Sequence, residues 1–364
     1  NPKFKANVIW SKGDEVVLDR TMFYPVGGGQ AWDIGKLGGK DVKTVERFGQ
    51  VIVHSVNTPP LMKKGLPLGP VEGEINWTRR LSLMRHHTAT HLVNAAAQRI
   101  LGPHIYQAGA EKTAEKAHLD ITHYKAVSDE EMEKIEKVAN SFVLKNIQIN
   151  KQILTRTEAE SKYGFRIYQG GAIPGKMIRI IEIPGVDVEA CGGTHADNTG
   201  EVGFIKLLKA ERIQDGIVRL EFTAGDVAVD SIQKERKILD NIAGKWGVQK
   251  IHLEKSAERF FKEWKEQKKE IERLKEEKAK LLKSSLLTEA KKVQGMRIVI
   301  AQVEGAETVA KELAKDDDVV AVIGWENQIV CAAGKKAGKI FPAKMLVDVA
   351  TKAMGGKGGG DEGF

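Results

Sequence analysis

The strongest constraint on this chain is that two short segments, far apart in the sequence, have to meet. The first is "HHTATHL", His86 to Leu92, which sets His87 and His91 at positions i and i+4. It lies within "RRLSLMRHHTATHLVNAAAQRIL", a stretch rich in strong helix formers and free of Gly and Pro. A helix is therefore expected, and both rings then leave the same face. A structural metal normally takes four protein ligands, so this pair is half a site. The second segment is "CGGTHADNTGEVG", where His195 follows Cys191 at i+4, and Gly192 and Gly193 let the loop fold back. One thiolate and three imidazoles form the borderline-soft donor set that suits Zn2+. An HxxxH pair alone is commonly incidental, and the distant CxxxH, in a chain with only two cysteines, turns it into an expected metal site. Ala89 and the absence of a Glu between His87 and His91 rule out the HExxH pattern, which disfavours a zinc protease.

At 364 residues the chain is long enough for two to four units. Its formal net charge of +8 favours an anionic partner. Cys191 is spoken for as a ligand and Cys331, in "QIVCAAG", reads as a buried strand residue, so no disulfide framework exists and a reducing compartment is expected. No apolar run approaches ~20 residues and no signal-peptide pattern opens the chain, so a cytoplasmic protein without a membrane partner is expected. The opening residue is Asn1 rather than Met, which reads as a piece of something longer.

The expected class is α+β and multidomain. Residues 1–74 alternate apolar runs with Gly and Pro, the pattern of a small β-barrel. Residues 75–225 mix helices and strands, include the helix start "SDEEMEKIEKVANSFV", and hold both halves of the zinc site in one α+β domain. Residues 226–294 are nearly all helix formers, interrupted chiefly by Gly244 and Gly247. There Phe260, Trp264, Gln267, Ile271, Leu274, Lys278 and Leu281 step by four and three, as in a coiled coil. Two readings of that stripe stand side by side: a helix packed on its own domain, or a self-association seam giving a homodimer, which exposed Trp and Phe favour. Residues 295–364 read as a small α/β domain of three strands and two helices ending in "GGKGGGDEGF", either a flexible tail or a set of backbone N–H groups for a phosphate or ribose.

Taken together, "FYPVGGGQAWDIG", "HHTATHL", "ACGGTHADNTGEVG" and "GGKGGG" resemble the editing and C-terminal parts of the alanyl-tRNA synthetase family, most like its archaeal forms, over essentially the whole chain. Threonyl-tRNA synthetase editing domains share part of the pattern but lack the Gly-rich barrel motif and the C-terminal unit. The resemblance implies that His87, His91, Cys191 and His195 are zinc ligands, that His86 is a surface ring or one supporting the ligands, and that Gln107, in "HIYQAG", belongs to an editing pocket. It further implies hydrolysis of the ester in tRNA(Ala) mischarged with serine or glycine, a helical dimerisation region and a globular tRNA-binding domain. With no class II adenylation motif before Asn1, this chain is expected to lack alanine activation. The globular domain looks cut short after Phe364.

Editing answers a limit of recognition, since a pocket for alanine cannot reject glycine by size and serine adds one hydroxyl. Zinc could serve as Lewis acid and water activator, or could orient the substrate while another group activates water; four protein ligands fill a tetrahedral shell and leave both readings open. Thr88, Thr90 and Thr194 are candidates for contacting the serine hydroxyl, although Thr in a helix more often bonds its own backbone. Gln30 ends "GGGQ", which is either a tight barrel turn or a loop approaching the acceptor end of tRNA. Its likeness to the GGQ of peptide-release factors is weak. Two further readings remain, a non-catalytic zinc-stabilised tRNA-binding and dimerisation module, and a free-standing alanyl-tRNA editing protein.

Overall fold

Period-two alternation at the start of the chain builds a sheet that closes on itself. The computed structural model describes residues 2–57, 65–169, 171 and 175–354. In β1 (Lys3–Lys12) Ala6 and Val8 turn inward while Lys5 and Asn7 face solvent. With β2 (Glu15–Leu18), β3 (Gly35–Leu37), β4 (Lys40–Phe48), β5 (Val51–Val56) and β6 (Gly69–Ile75) it forms a closed barrel in the order β1-β2-β5-β4-β3-β6. Closure removes open edges, and Val16, Phe23, Leu37, Val45 and Val56 fill the interior. Where β3 meets β6 a side chain has no room: a Cβ on Gly35 would lie 2.1 Å from the Glu74 carbonyl oxygen.

The next helix, α1 (Trp77–Leu101), starts at Asn76, whose side chain accepts the Arg79 N–H at 3.0 Å. Its residues from His86 to Ala97 are buried all round, so it runs through the interior rather than lying on a surface. The small side chains of Ala89, Ala95, Ala96 and Ala97 make that possible. Strands β7 (Gln107–Lys112) and β8 (Ala117–Thr122) follow, then α2 (Asp129–Leu144). Ser128 and Glu131 close a reciprocal capping box at the start of α2, where the sequence places a helix start. After β9 (Asn150–Thr155), α3 (Arg156–Tyr163), β10 (Met177–Ile183) and β11 (Asp187–Ala190), the chain pairs β12 (Ile205–Gln214) with β13 (Ile217–Ala224). Two sheets result, β11-β10-β9 and β12-β13-β8-β7. Leu92, Leu119, Phe142, Ile181 and Phe222 share one core beneath them.

Contacts divide the chain into Asn1–Leu239 and Asp240–Phe364. The division falls inside α4 (Asp226–Trp246), which Gly247 ends at φ +63°. In the second unit the C-terminal end of α5 (Leu253–Thr288) packs on the core through residues outside the apolar stripe, and the stripe itself is exposed. Ala279, Leu282, Leu286 and Leu287 join a core with Val309, Leu313 and Ala321, whereas Phe260, Trp264, Ile271, Leu274 and Leu281 are exposed. The end of the helical segment and the α/β segment after it thus share one core. Strands β14 (Lys291–Val293) and β15 (Met296–Gln302), helix α6 (Ala306–Leu313), strands β16 (Val319–Trp325) and β17 (Gln328–Ala333) and helix α7 (Ala343–Met354) complete the unit. Its sheet runs β14-β15-β16-β17, with β15 and β16 parallel across the α6 crossover. Cys331 is buried on β17, and burial pushes its thiol up. The mixed α+β class and the barrel agree with the sequence; the "GGKGGG" run lies outside the described residues.

Helix α2 tests this packing directly. Phe142 is 1% exposed and Leu144 is 85% exposed. Phe142→Ala is expected to lower unfolding stability by about 3–5 kcal/mol, and Leu144→Ala to leave it within about 0.5 kcal/mol, as read from urea midpoints.

Candidate metal centre

Helix α1 delivers His87 and His91 from one face, and the loop after β11 delivers Cys191 and His195. Their four ligand atoms lie within 4.8 Å of one another. Cys191 Sγ is 3.3 Å from His87 Nε2 and 3.2 Å from His195 Nε2. Around a tetrahedral zinc ion a thiolate sulfur and an imidazole nitrogen would stand about 3.6 Å apart, so a small adjustment suffices. The backbone approach is close: a Cβ on Gly193 would fall 1.9 Å from His87 Cε1. That is why glycine stands in this loop, and Arg179 fixes the loop by donating to the carbonyls of Cys191 (3.0 Å) and Gly193 (2.6 Å).

What aims the three rings is the bonding of their outer nitrogens. His87 Nδ1 meets Gln30 Oε1 at 2.7 Å, and His91 Nδ1 meets Asp187 Oδ2 at 2.7 Å. An amide oxygen and a carboxylate only accept, so each Nδ1 carries the proton and each Nε2 keeps its lone pair for the centre. His195 Nδ1 makes a longer contact with Thr88 Oγ1, 3.4 Å. Gln30 reaches this position from the barrel because "GGGQ" is a tight turn, bridging Gly27 to Gln30 and laid against β7. Gly29, at φ +72°, brings its Cα so near that a Cβ would sit 2.0 Å from the Ala110 carbonyl oxygen. A buried ion pair between Arg80 and Asp33 ties the same barrel segment to α1.

Burial, and then the charge of Lys112 for His87 and of His91 for His195, hold these two rings well below the ordinary histidine range. Burial pulls His91 down too, but Glu189 and Asp187 outweigh it and hold it well above. Burial and the neighbouring Asp187 push Glu189 up to about 7. Two imidazoles held neutral with inward lone pairs, a third ring whose Nε2 proton a bound cation would displace, and a thiol are a donor set that fits a soft or borderline divalent cation of zinc's kind.

Beside the ligands lies a cavity of about 400 Å³, walled by Gly28, Gly29, Thr90, Gln107, Lys112, Gln169, Glu189 and Gly192 together with His87, His91 and Cys191. Family profiles match the chain in two stretches, tRNA synthetases class II (A) at residues 1–78 and the threonyl and alanyl tRNA synthetase second additional domain at residues 178–221. The second includes Cys191 and His195. The chain is also similar to the alanine–tRNA ligase of Pyrococcus abyssi, 44% identical over 98% of this chain and 40% of that protein. The corresponding figures are 44%, 98% and 39% for the enzyme of Methanococcus aeolicus and 45%, 96% and 39% for that of Pyrococcus furiosus. Over nearly its whole length the chain matches part of the archaeal alanine–tRNA ligases. It spans about two fifths of the length of these relatives.

The candidates named from sequence fall into distinct places. Gln107 and Thr90 line the cavity, although the Thr90 hydroxyl donates to the His86 carbonyl at 2.8 Å, the backbone bond usual for a helical Thr. Thr88 accepts the Ala196 N–H at 3.2 Å, and Thr194 Oγ1 accepts from Gln30 Nε2 at 2.8 Å, so both brace the CGGTH loop. Gln30 Oε1 also accepts the Thr194 N–H at 3.0 Å. His86 is not a surface ring: it is fully buried, with Nδ1 2.7 Å from the Thr113 carbonyl. Sequence reasoning missed Asp187, Glu189, Arg179 and Lys112. The first two had a readable signal, because "DVEAC" places them on one face of a strand just before the ligand Cys. Arg179 and Lys112 had none.

If Gly193 is glycine because His87 needs the space, Gly193→Ala should lose most bound metal even though no ligand changes. Cys191→Ala should lose it through the missing thiolate. Both are measured as zinc per chain by atomic emission after dialysis, and normal metal content in either variant contradicts the assignment.

Proposed function

We propose that this chain is the editing part of an alanine–tRNA ligase, hydrolysing the ester that joins serine or glycine to tRNA(Ala). The observation that carries the reading is a cavity large enough for an aminoacyl group, walled on one side by three of the four Cys/His ligands and on another by Gln107. In the reaction a water oxygen adds to the ester carbonyl carbon and the bond to the ribose oxygen then breaks. One of the water's protons ends on the ribose oxygen, the other is released to solvent, and the amino acid leaves as its carboxylate. Zinc bound by His87, His91, Cys191 and His195 would supply Lewis acidity and hold the loop that forms the cavity wall. Gln30, Asp187 and Thr88 keep the rings aimed, and Gln107, Gln169 and Glu189 offer polar groups to the aminoacyl and terminal ribose moieties.

A second reading has its own support: a four-ligand set with every protein position filled is the form that structural zinc takes. Under it the chain is a tRNA-binding and dimerisation module without catalysis. Incubating the chain with Ser-, Gly- and Ala-tRNA(Ala) and following deacylation separates the two. Hydrolysis of the first two with Ala-tRNA(Ala) spared is the expected outcome, and no hydrolysis of any would leave the module reading.

We further infer that the basic chain acts on tRNA in the cytoplasm and pairs as a homodimer through the exposed part of α5. Binding to tRNA should weaken as salt rises, because phosphate contacts release counterions. No helix among the described residues is long and apolar enough to cross a membrane. Trp264 and Ile271 are 53% and 51% exposed on one apolar stripe. Replacing both by Glu should turn a dimer into a monomer in light scattering with zinc content unchanged; a persisting dimer would move the interface elsewhere.

A further inference from the structure

The cavity beside the ligands contains a charge for which the fold gives only a partial account. Lys112 ends β7 and is 2% exposed, yet its Nζ faces the same space as His87, Gln107 and Cys191. An ammonium has three N–H donors. Among the described residues one hydrogen bond from Nζ is present, to the Gly28 carbonyl at 3.1 Å, and no carboxylate forms an ion pair with it. Glu189, in the same cavity wall, acts on it only through space, and a buried cation without a bonded counter-ion is costly, so an anionic ligand is the usual compensation. The neighbouring wall is made of Gly28, Gly29, Gly109 and Ala110, and a Cβ on Gly29 would come within 3.4 Å of Nζ.

We propose that Lys112 binds an anionic oxygen of the aminoacyl-nucleotide substrate. The assignment rests on the hydrolase reading given above. When water adds to the ester, the carbonyl electron pair moves onto its oxygen, and a cation fixed in the cavity wall stabilises that oxyanion until the bond to the ribose oxygen breaks. The phosphate of the terminal nucleotide presents the same chemistry in the ground state. The competing role is a brace, in which Lys112 holds the Gly28 turn and through it Gln30 and His87.

Two variants of the full chain separate these roles. Lys112→Gln keeps an N–H donor for the Gly28 carbonyl and removes the charge, whereas Lys112→Met removes both. Zinc per chain is measured alongside kcat and KM on Ser-tRNA(Ala) and on 3′-seryl-adenosine, which lacks the phosphate. Lys112→Gln is expected to keep its zinc and to lose about 10²-fold in kcat/KM on Ser-tRNA(Ala), the size typical for removal of one oxyanion donor. An equal fall in kcat on both substrates assigns the oxyanion. A rise in KM confined to the tRNA assigns the phosphate, and either supports the proposal. Wild-type rates in Lys112→Gln overturn it, as does activity that merely follows zinc content across the two variants. An inert wild-type chain would instead refute the hydrolase reading. In that case unchanged affinity of Lys112→Gln for a non-hydrolysable 3′-seryl-amido analogue of AMP overturns the assignment of Lys112 as well.

Discussion

The bonds made by the outer nitrogens of three buried imidazoles govern the arrangement of the first unit. His87, His91 and His195 crowd around one thiol in a region from which water is excluded, where an unpaired polar nitrogen costs about 1–3 kcal/mol. Each ring escapes that penalty by a contact through Nδ1, to Gln30, to Asp187 and to Thr88. The same contacts turn every Nε2 toward Cys191. The requirement that buried donors be paired and the requirement that lone pairs converge are therefore met by one set of side chains.

These partners come from separate elements, so the centre also joins them. Gln30 belongs to the barrel, Thr88 to α1 and Asp187 to β11. For Gln30 to arrive, the barrel turn has to lie against β7 at a distance that only a residue without Cβ allows, and Gly29 is that residue. For Cys191 to arrive, the loop backbone has to touch the face of His87, and Gly193 permits it. The cavity is the space left between the barrel turn, α1 and β11. Its glycine-rich wall follows from the same close approaches that build the ligand set.

How much of this was legible in the sequence depended on whether the signal was local. His87 with His91, and Cys191 with His195, each stand at a spacing that means something without the rest of the chain, and the barrel strands announce themselves by alternation. Helix α1 was legible as a helix from composition, but its burial on all sides erased the amphipathic period that would have shown its neighbours. Gln30 was visible as part of a motif, but its partner His87 lies 57 positions away and no spacing rule links them. Lys112 and Arg179 were invisible because a lone Lys or Arg in a strand is ordinarily a solvated charge. The stripe on α5 is exposed, and the packing of that helix on its own core falls to Ala279, Leu282, Leu286 and Leu287, which the stripe does not include.

The charges around the centre decide what the cavity can favour. A divalent ion with one thiolate and three neutral imidazoles carries a net charge of about +1. Asp187 and Glu189 stand beside His91, with Asp187 on the proton of Nδ1, which makes that ring a stronger donor and draws part of the positive charge toward the back of the site. Lys112 adds its charge on the cavity side, with no carboxylate paired to it among the described residues. Asp187 lies behind the ligands, whereas Glu189 and Lys112 both line the cavity, so an acidic and a basic group stand together beside the ligand set.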